Sequence, residues 1–173
     1  VSTRILVGPG GCLHWLPQEL ILYDGCALDR RLEIDLAADA RLLMVEPVVF
    51  GRVAMGERLN TGMFRDRIAV SRQDRPLYCD ALSLAGPISD QLARRPNAAG
   101  AGAMASLLYV APDAERYMRE LRALLPDTGG VSLLAPDVLA LRLLAGDSHD
   151  LRRHLLPVLD RLSNDTLPVS WRL

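Results

Sequence analysis

At 173 residues, half of them hydrophobic and about a quarter charged, the chain is the size of one domain with enough apolar material for a core. A formal charge of −1 gives no electrostatic ground for a nucleic-acid or acidic-membrane partner. No apolar run is long enough to span a bilayer, and no signal peptide is visible.

VSTRILVG is strand-like from its first residue, so the chain is expected to be a fragment or processed form that lacks preceding strands. GPGG (Gly8–Gly11) lacks the lysine and Ser/Thr of a phosphate loop and reads as a turn. LHWLPQE then sets Trp15 beside Pro17, Gln18 and Glu19 at a strand-to-turn transition. Trp15 reads as a core residue, and Gln18 and Glu19 as residues free to face a partner or a route through the protein. Leu32, Ile34 and Leu36 alternate with Arg31, Glu33 and Asp35, the pattern of a half-buried strand. After a break at Ala38–Asp39, the run from Leu42 to Phe50 reads as a strand buried on both faces. Strands over 65–70 and 77–84 flank a turn at Gln73-Asp74-Arg75-Pro76 that lacks the glycine of the preferred hairpins.

The texture changes from Ser89. A strand is expected over 105–110. A helix follows Pro112-Asp113, with Tyr117, Leu121, Leu124 and Leu125 at helical spacing, and Gly129-Gly130 ends that unit. Two more strands are read over 132–135 and 138–144. Ser148 is placed as the cap of a second helix striped by Leu151, Leu155, Leu156, Leu159 and Leu162, which Pro157 should kink or divide. The expected architecture is one mainly β domain over residues 1–173, with stacked sheets, sandwich-like or β-helix-like, and two C-terminal helices.

Glu46 stands out because it interrupts a strand of Leu, Met, Val and Phe, where an unpaired carboxylate is costly. It is paired with Arg52 or Arg41, or turned to solvent before Pro47, or it lines a polar channel or interface. Glu57 follows Gly56 in a glycine-bounded loop (Gly51, Gly56, Gly62) of the kind that often carries function. A Glu46/Glu57 pair doing acid/base chemistry in a β-sandwich hydrolase is the alternative to a binding role. No GxSxG elbow is present, and His14, His149 and His154 are scattered, so they read as surface residues. Cys12, Cys26 and Cys79 form neither a zinc-type cluster nor an even disulfide framework, and read as buried, reduced thiols of a cytosolic protein. All 20 basic residues are arginines, which favour bidentate contacts with carboxylates and so suit a protein partner.

Several stretches together resemble one family. WLPQE, LILYDGCAL, RLLMVEPVVFGRVAMGE, then GAGAMASLLYVAPDAE, VSLLAPDVLALRLLAGDS and LPVSWRL are similar to the C-terminal portion of UreD (UreH), the urease accessory protein. The resemblance implies a cytoplasmic, non-enzymatic scaffold of stacked β-sheets with two helices. Such a scaffold binds the urease apoprotein and recruits UreF and the GTPase UreG. It holds no tightly bound cofactor, and nickel passes through it in transit. On this chain the E…GRxAMGE motif falls on Glu46, Gly51, Arg52, Gly56 and Glu57, and WLPQE on Trp15, Pro17, Gln18 and Glu19. Glu46 and Glu57 are thereby nickel-route candidates, with Arg52 as the partner or orienter of Glu46, or else as a lock on the turn with Glu57. His14 and Cys12 depart from the family pattern. Strands missing before Val1 would leave open sheet edges and favour self-association.

Overall fold

Alternating and continuous apolar runs both become strands here, and the difference between them is what each face meets. The computed structural model describes residues 1–52, 55–95 and 97–172. Val53 and Ala54 of the GRVAMGE stretch, Pro96, and Leu173 of LPVSWRL lie outside the described residues. The elements in chain order are β1 (Ser2–Val7), β2 (Cys12–Trp15), β3 (Leu20–Leu22), β4 (Cys26–Leu36), β5 (Arg41–Phe50), β6 (Thr61–Arg72) and β7 (Arg75–Pro87). They continue with α1 (Ile88–Ala93), β8 (Ala103–Val110), α2 (Ala114–Leu124), β9 (Gly129–Ala135), β10 (Val138–Ala145) and α3 (Ser148–Ser163), then a 3-10 turn at Val169–Trp171.

The first sheet has the order β1-β4-β6-β7, parallel through β6 and antiparallel at β7. The second runs β2-β5-β8-β10-β9, with β3 also pairing β5 further along the same edge. Helices α2 and α3 cover the far face of the second sheet, where Leu43, Val45, Leu107 and Leu141 meet Tyr117, Leu121, Leu155 and Leu159. The second sheet is therefore a middle layer. This is why β5 is buried on both faces whereas β4, at the outer layer, alternates. The stacked, mainly β architecture with C-terminal helices matches the expectation from sequence.

Several local details differ. The β6–β7 hairpin turns through Gln73 and Asp74, both left-handed at φ 50° and 61°, so a primed-type turn forms without glycine. Gly129 and Gly130 do not end the α2 unit; they open β9. The cap of α3 is Asp147, which accepts from the Asp150 N–H, and Ser148 is the first helical residue. Pro157 does not divide α3, which runs unbroken from Ser148 to Ser163 and buries Leu151, Leu155, Val158, Leu159 and Leu162. Burial of that stripe offsets the lost hydrogen bond. Helix α1 has six residues, too few for a periodic signal, yet it places Ile88 and Leu92 in the core. The cysteines are free as expected, but Cys12 and Cys79 are exposed rather than buried, because both occupy outward positions on edge strands. GPGG forms the expected turn, closed by the Gly11 N–H on Gly8 O at 3.0 Å.

Candidate functional site

The space between the sheets is not one continuous core. It holds two apolar clusters, one around Leu32, Ile34, Met44, Ile68 and Leu108, the other around Leu22, Val48, Phe64, Leu84 and Met104. Each of six strands contributes one polar residue at the level between them. On β5, Glu46 sits between Met44 and Val48; on β4, Arg30 lies between Leu28 and Leu32; on β6, Asp66 falls between Phe64 and Ile68. Asp80 of β7, Ser106 of β8 and Arg142 of β10 complete the tier by the same alternation.

Glu46 is 4% exposed. Its Oε1 accepts the Trp15 indole N–H at 2.6 Å, and its Oε2 lies 2.7 Å from Arg30 Nη1. Arg30 also forks onto Asp66, with Nε 2.9 Å from Oδ1 and Nη2 2.5 Å from Oδ2. Ser106 donates to Asp80 Oδ2 at 3.2 Å, and Arg142 Nη2 reaches the same oxygen at 2.5 Å. Burial pushes the Glu46 carboxyl above the ordinary glutamate value, against the pull of the Arg30 charge and the Trp15 hydrogen bond. Burial, then the Asp80 charge, pushes the Tyr78 phenol up to about 12. A cavity of about 10 Å³ lies among Glu46, Asp66, Asp80 and Ser106, room for one water.

The tier reaches the surface at one end and a covered gap in the β5 edge at the other. Towards β10, Arg142 and Asp80 have side chains 44% and 21% exposed. At the other end, β2 pairs with Arg41–Met44 of β5 and β3 with Val48–Phe50. Val45, Glu46 and Pro47 are left between them, and Pro47 has no N–H to give a partner strand. The Trp15–Glu19 stretch bridges this gap. Arg152 of α3 fastens it, with Nε and Nη2 each 3.0 Å from a Glu19 oxygen and Nη2 2.6 Å from Gln18 Oε1. The Arg152 guanidinium also lies over the Trp171 ring, and Trp171 donates to Leu16 O at 3.0 Å. Gln18 and Glu19 are thus held by the helical layer, while Trp15 covers Glu46.

Arg52 does not orient Glu46. It pairs with Glu57, by an Nε contact of 2.6 Å and a closer Nη2 contact, and stacks over Tyr23. Glu57 also accepts the Asp24 N–H at 3.0 Å, and Asp24 in turn accepts from the N–H groups of Asn60 and Thr61. The Asp24 hydrogen bond, then Arg52, holds the Glu57 carboxyl below its ordinary value. Gly51 sits at φ +85°, and a Cβ there would come within 2.8 Å of Leu59 N; Gly56, at φ +75°, turns the loop in open space. This network locks the loop, so Glu46 and Glu57 belong to separate sets of contacts. Arg41 likewise leaves Glu46 to Arg30. Cys12, His14 and His149 are exposed, and His154 lies 3.6 Å from Asp150. Among the described residues no group of three or more His, Cys, Asp or Glu is arranged to hold a metal ion, and no helix is long and apolar enough to cross a membrane.

The model of the family described as UreD urease accessory protein matches residues 1–172. A protein of Roseobacter denitrificans named urease accessory protein UreD is 51% identical over 173 residues, covering 100% of this chain and 63% of that protein. Its namesake in Ruegeria pomeroyi is 49% identical, covering 100% and 67%. The one in Rhizobium etli is 42% identical over 174 residues, covering 100% and 64%. The chain thus spans about two thirds of the length of these relatives.

Proposed function

The chain belongs to the UreD family of urease accessory proteins, and from that premise we propose that it is a cytoplasmic, non-catalytic scaffold in urease maturation. In this reading it binds the urease apoprotein, meets UreF and UreG, and passes nickel towards the urease active site. The observation that carries the reading is the polar tier, which crosses an otherwise apolar sandwich from the Arg142 edge to the gap beside Trp15.

Nickel is cargo here. Carboxylates and water hold such a divalent cation weakly, and a passage needs sites that release as readily as they bind. Glu46, Asp66 and Asp80 supply carboxylates, and Ser106 supplies a hydroxyl, around a space the size of one water. Their arginine partners, Arg30 and Arg142, offset part of the carboxylate charge when no ion is in passage. Glu57 stands apart as a loop anchor close to the surface, where it is proposed to shape the mouth rather than the interior.

A two-carboxylate hydrolase gains no support from this geometry, since among the described residues Glu46 and Glu57 share no partner. The test is co-production of a Glu46→Gln variant with urease and its accessory proteins, followed by metal analysis of the purified urease. Lower nickel per urease active site is expected. Full nickel content would take Glu46 off the route.

A further inference from the structure

Arg30 holds a position that a point cation would also fit. Its three guanidinium nitrogens serve two carboxylates from different sheets, Asp66 through a two-point fork and Glu46 through Nη1. The Glu46 contact is close at 2.7 Å, yet among the described residues Oε2 has no aligned hydrogen bond. That oxygen belongs to a residue 4% exposed, so bulk ions cannot compensate it. The neighbouring guanidinium, Arg142, is engaged by Asp80. Three carboxylates against two guanidiniums leave the tier with one uncompensated negative charge.

We infer that Arg30 is a built-in counter-ion that holds the Glu46–Asp66 pair closed in place of a divalent metal ion, and that an arriving ion displaces it. This rests on the reading of the tier as a nickel passage. With Arg30 swung outward and a divalent ion in its place, three carboxylates face one guanidinium and two metal charges, and the tier becomes neutral. Arg30 is suited to the exchange because its side chain is 18% exposed and long enough to keep its charge in water at the rim. An arginine also stays protonated at every physiological pH, so the return of Arg30 opposes retention of the ion whatever the local acidity. The device weakens the site and favours release, as a transfer step requires. It also accounts for the carboxylates not being arranged as a metal site while Arg30 is in place.

The test is calorimetric titration of the full chain with Ni²⁺ alone. Arg30→Met is expected to bind about tenfold more tightly than the parent, because the occupied state no longer competes. The gain is expected to vanish in Arg30→Met/Glu46→Gln. Affinity equal to or weaker than the parent's, or a gain that survives Glu46→Gln, overturns the inference. Two uncompensated buried carboxylates can stop Arg30→Met from folding, so Arg30→Lys is the second variant. It retains a charge but loses the fork, and about threefold tighter binding is expected; no gain overturns the inference. Failure of the route is read separately. Lost nickel loading in Glu46→Gln without any gain in the Arg30 variants removes the counter-ion and keeps the passage. A gain with intact loading keeps the counter-ion and takes the site off the path to urease.

Discussion

The Trp15 indole N–H meets the Glu46 carboxylate at 2.6 Å where neither β2 nor β3 covers the edge of β5. A side chain thus replaces the missing strand. Trp15→Phe keeps most of the apolar cover but removes a hydrogen bond to a buried charged group. A loss of about 1.5–3 kcal/mol is expected, read as a lower urea midpoint at unchanged slope. No shift in midpoint would mean that water substitutes freely for the indole and that the gap is already wet.

Glu46 gives the tier a pH signature. Its carboxyl is raised in the folded state, chiefly by burial. Its favourable contribution is therefore complete below the unfolded-state value and is lost as pH rises through the folded-state value. Glutamine fixes the neutral form. The stability of Glu46→Gln relative to the parent should grow as pH rises across that window, measured by thermal melts in a series of buffers. A difference that shrinks with rising pH would show that the Arg30 pairing outweighs burial.

The loop locked by Asp24 and Glu57 behaves oppositely. Hydrogen bonds from Thr61 and other backbone N–H groups lower the Asp24 carboxyl, and those from Asp24 and Arg52 lower that of Glu57. Their contributions are present above the unfolded-state values and are lost as pH falls through the folded-state ones. Proteolysis near Met55, which is 77% exposed, should accelerate in acid before the global transition. Equal rates relative to global unfolding at all pH values would contradict this.

Arg152 is the rivet between WLPQE and the helical layer. Arg152→Met loses the fork on Glu19 and the Gln18 contact, at an expected cost of about 2–3 kcal/mol. Arg152→Lys should restore less than half, because an ammonium cannot reproduce the planar fork. Denaturant midpoints of the three proteins decide it, and full rescue by lysine would reduce the rivet to a simple charge.

Gly51→Ala tests the loop from its backbone. The left-handed φ and the close approach of Leu59 N predict a loss of about 1–3 kcal/mol, seen as a lower melting temperature. An unchanged melting temperature would mean that the loop relaxes away from β5.

Much of the fold was legible in local patterns. Apolar runs marked β5 and β8, and the stripe through Leu151, Leu155 and Leu159 marked α3. Glu46 also stood out, because a carboxylate in such a run is conspicuous. Its partner did not, although a signal existed: Arg30 has the same parity as Leu32 and Ile34, so the alternation that turned Arg31 and Glu33 outward pointed Arg30 in. Asp66 shares parity with Phe64 and Ile68 in the same way. Which inward residues meet across two sheets depends on how the sheets stack, and no local pattern encodes that. Arg52 lay nearer to Glu46 in sequence and was the natural guess, but the left-handed turn at Gly51 carries it towards Glu57 instead.

The Trp171 ring is fully buried and its N–H is spent on Leu16, 155 positions away. At ordinary rates of synthesis the ribosome needs roughly 10–30 seconds to travel that distance. From the synthesis of β5 onward, the edge beside Glu46 waits for its fastening until α3 and Trp171 follow. Any partner present during translation meets this edge unlatched. The choice between pairing in cis and capture by another protein is thus set by timing as much as by affinity.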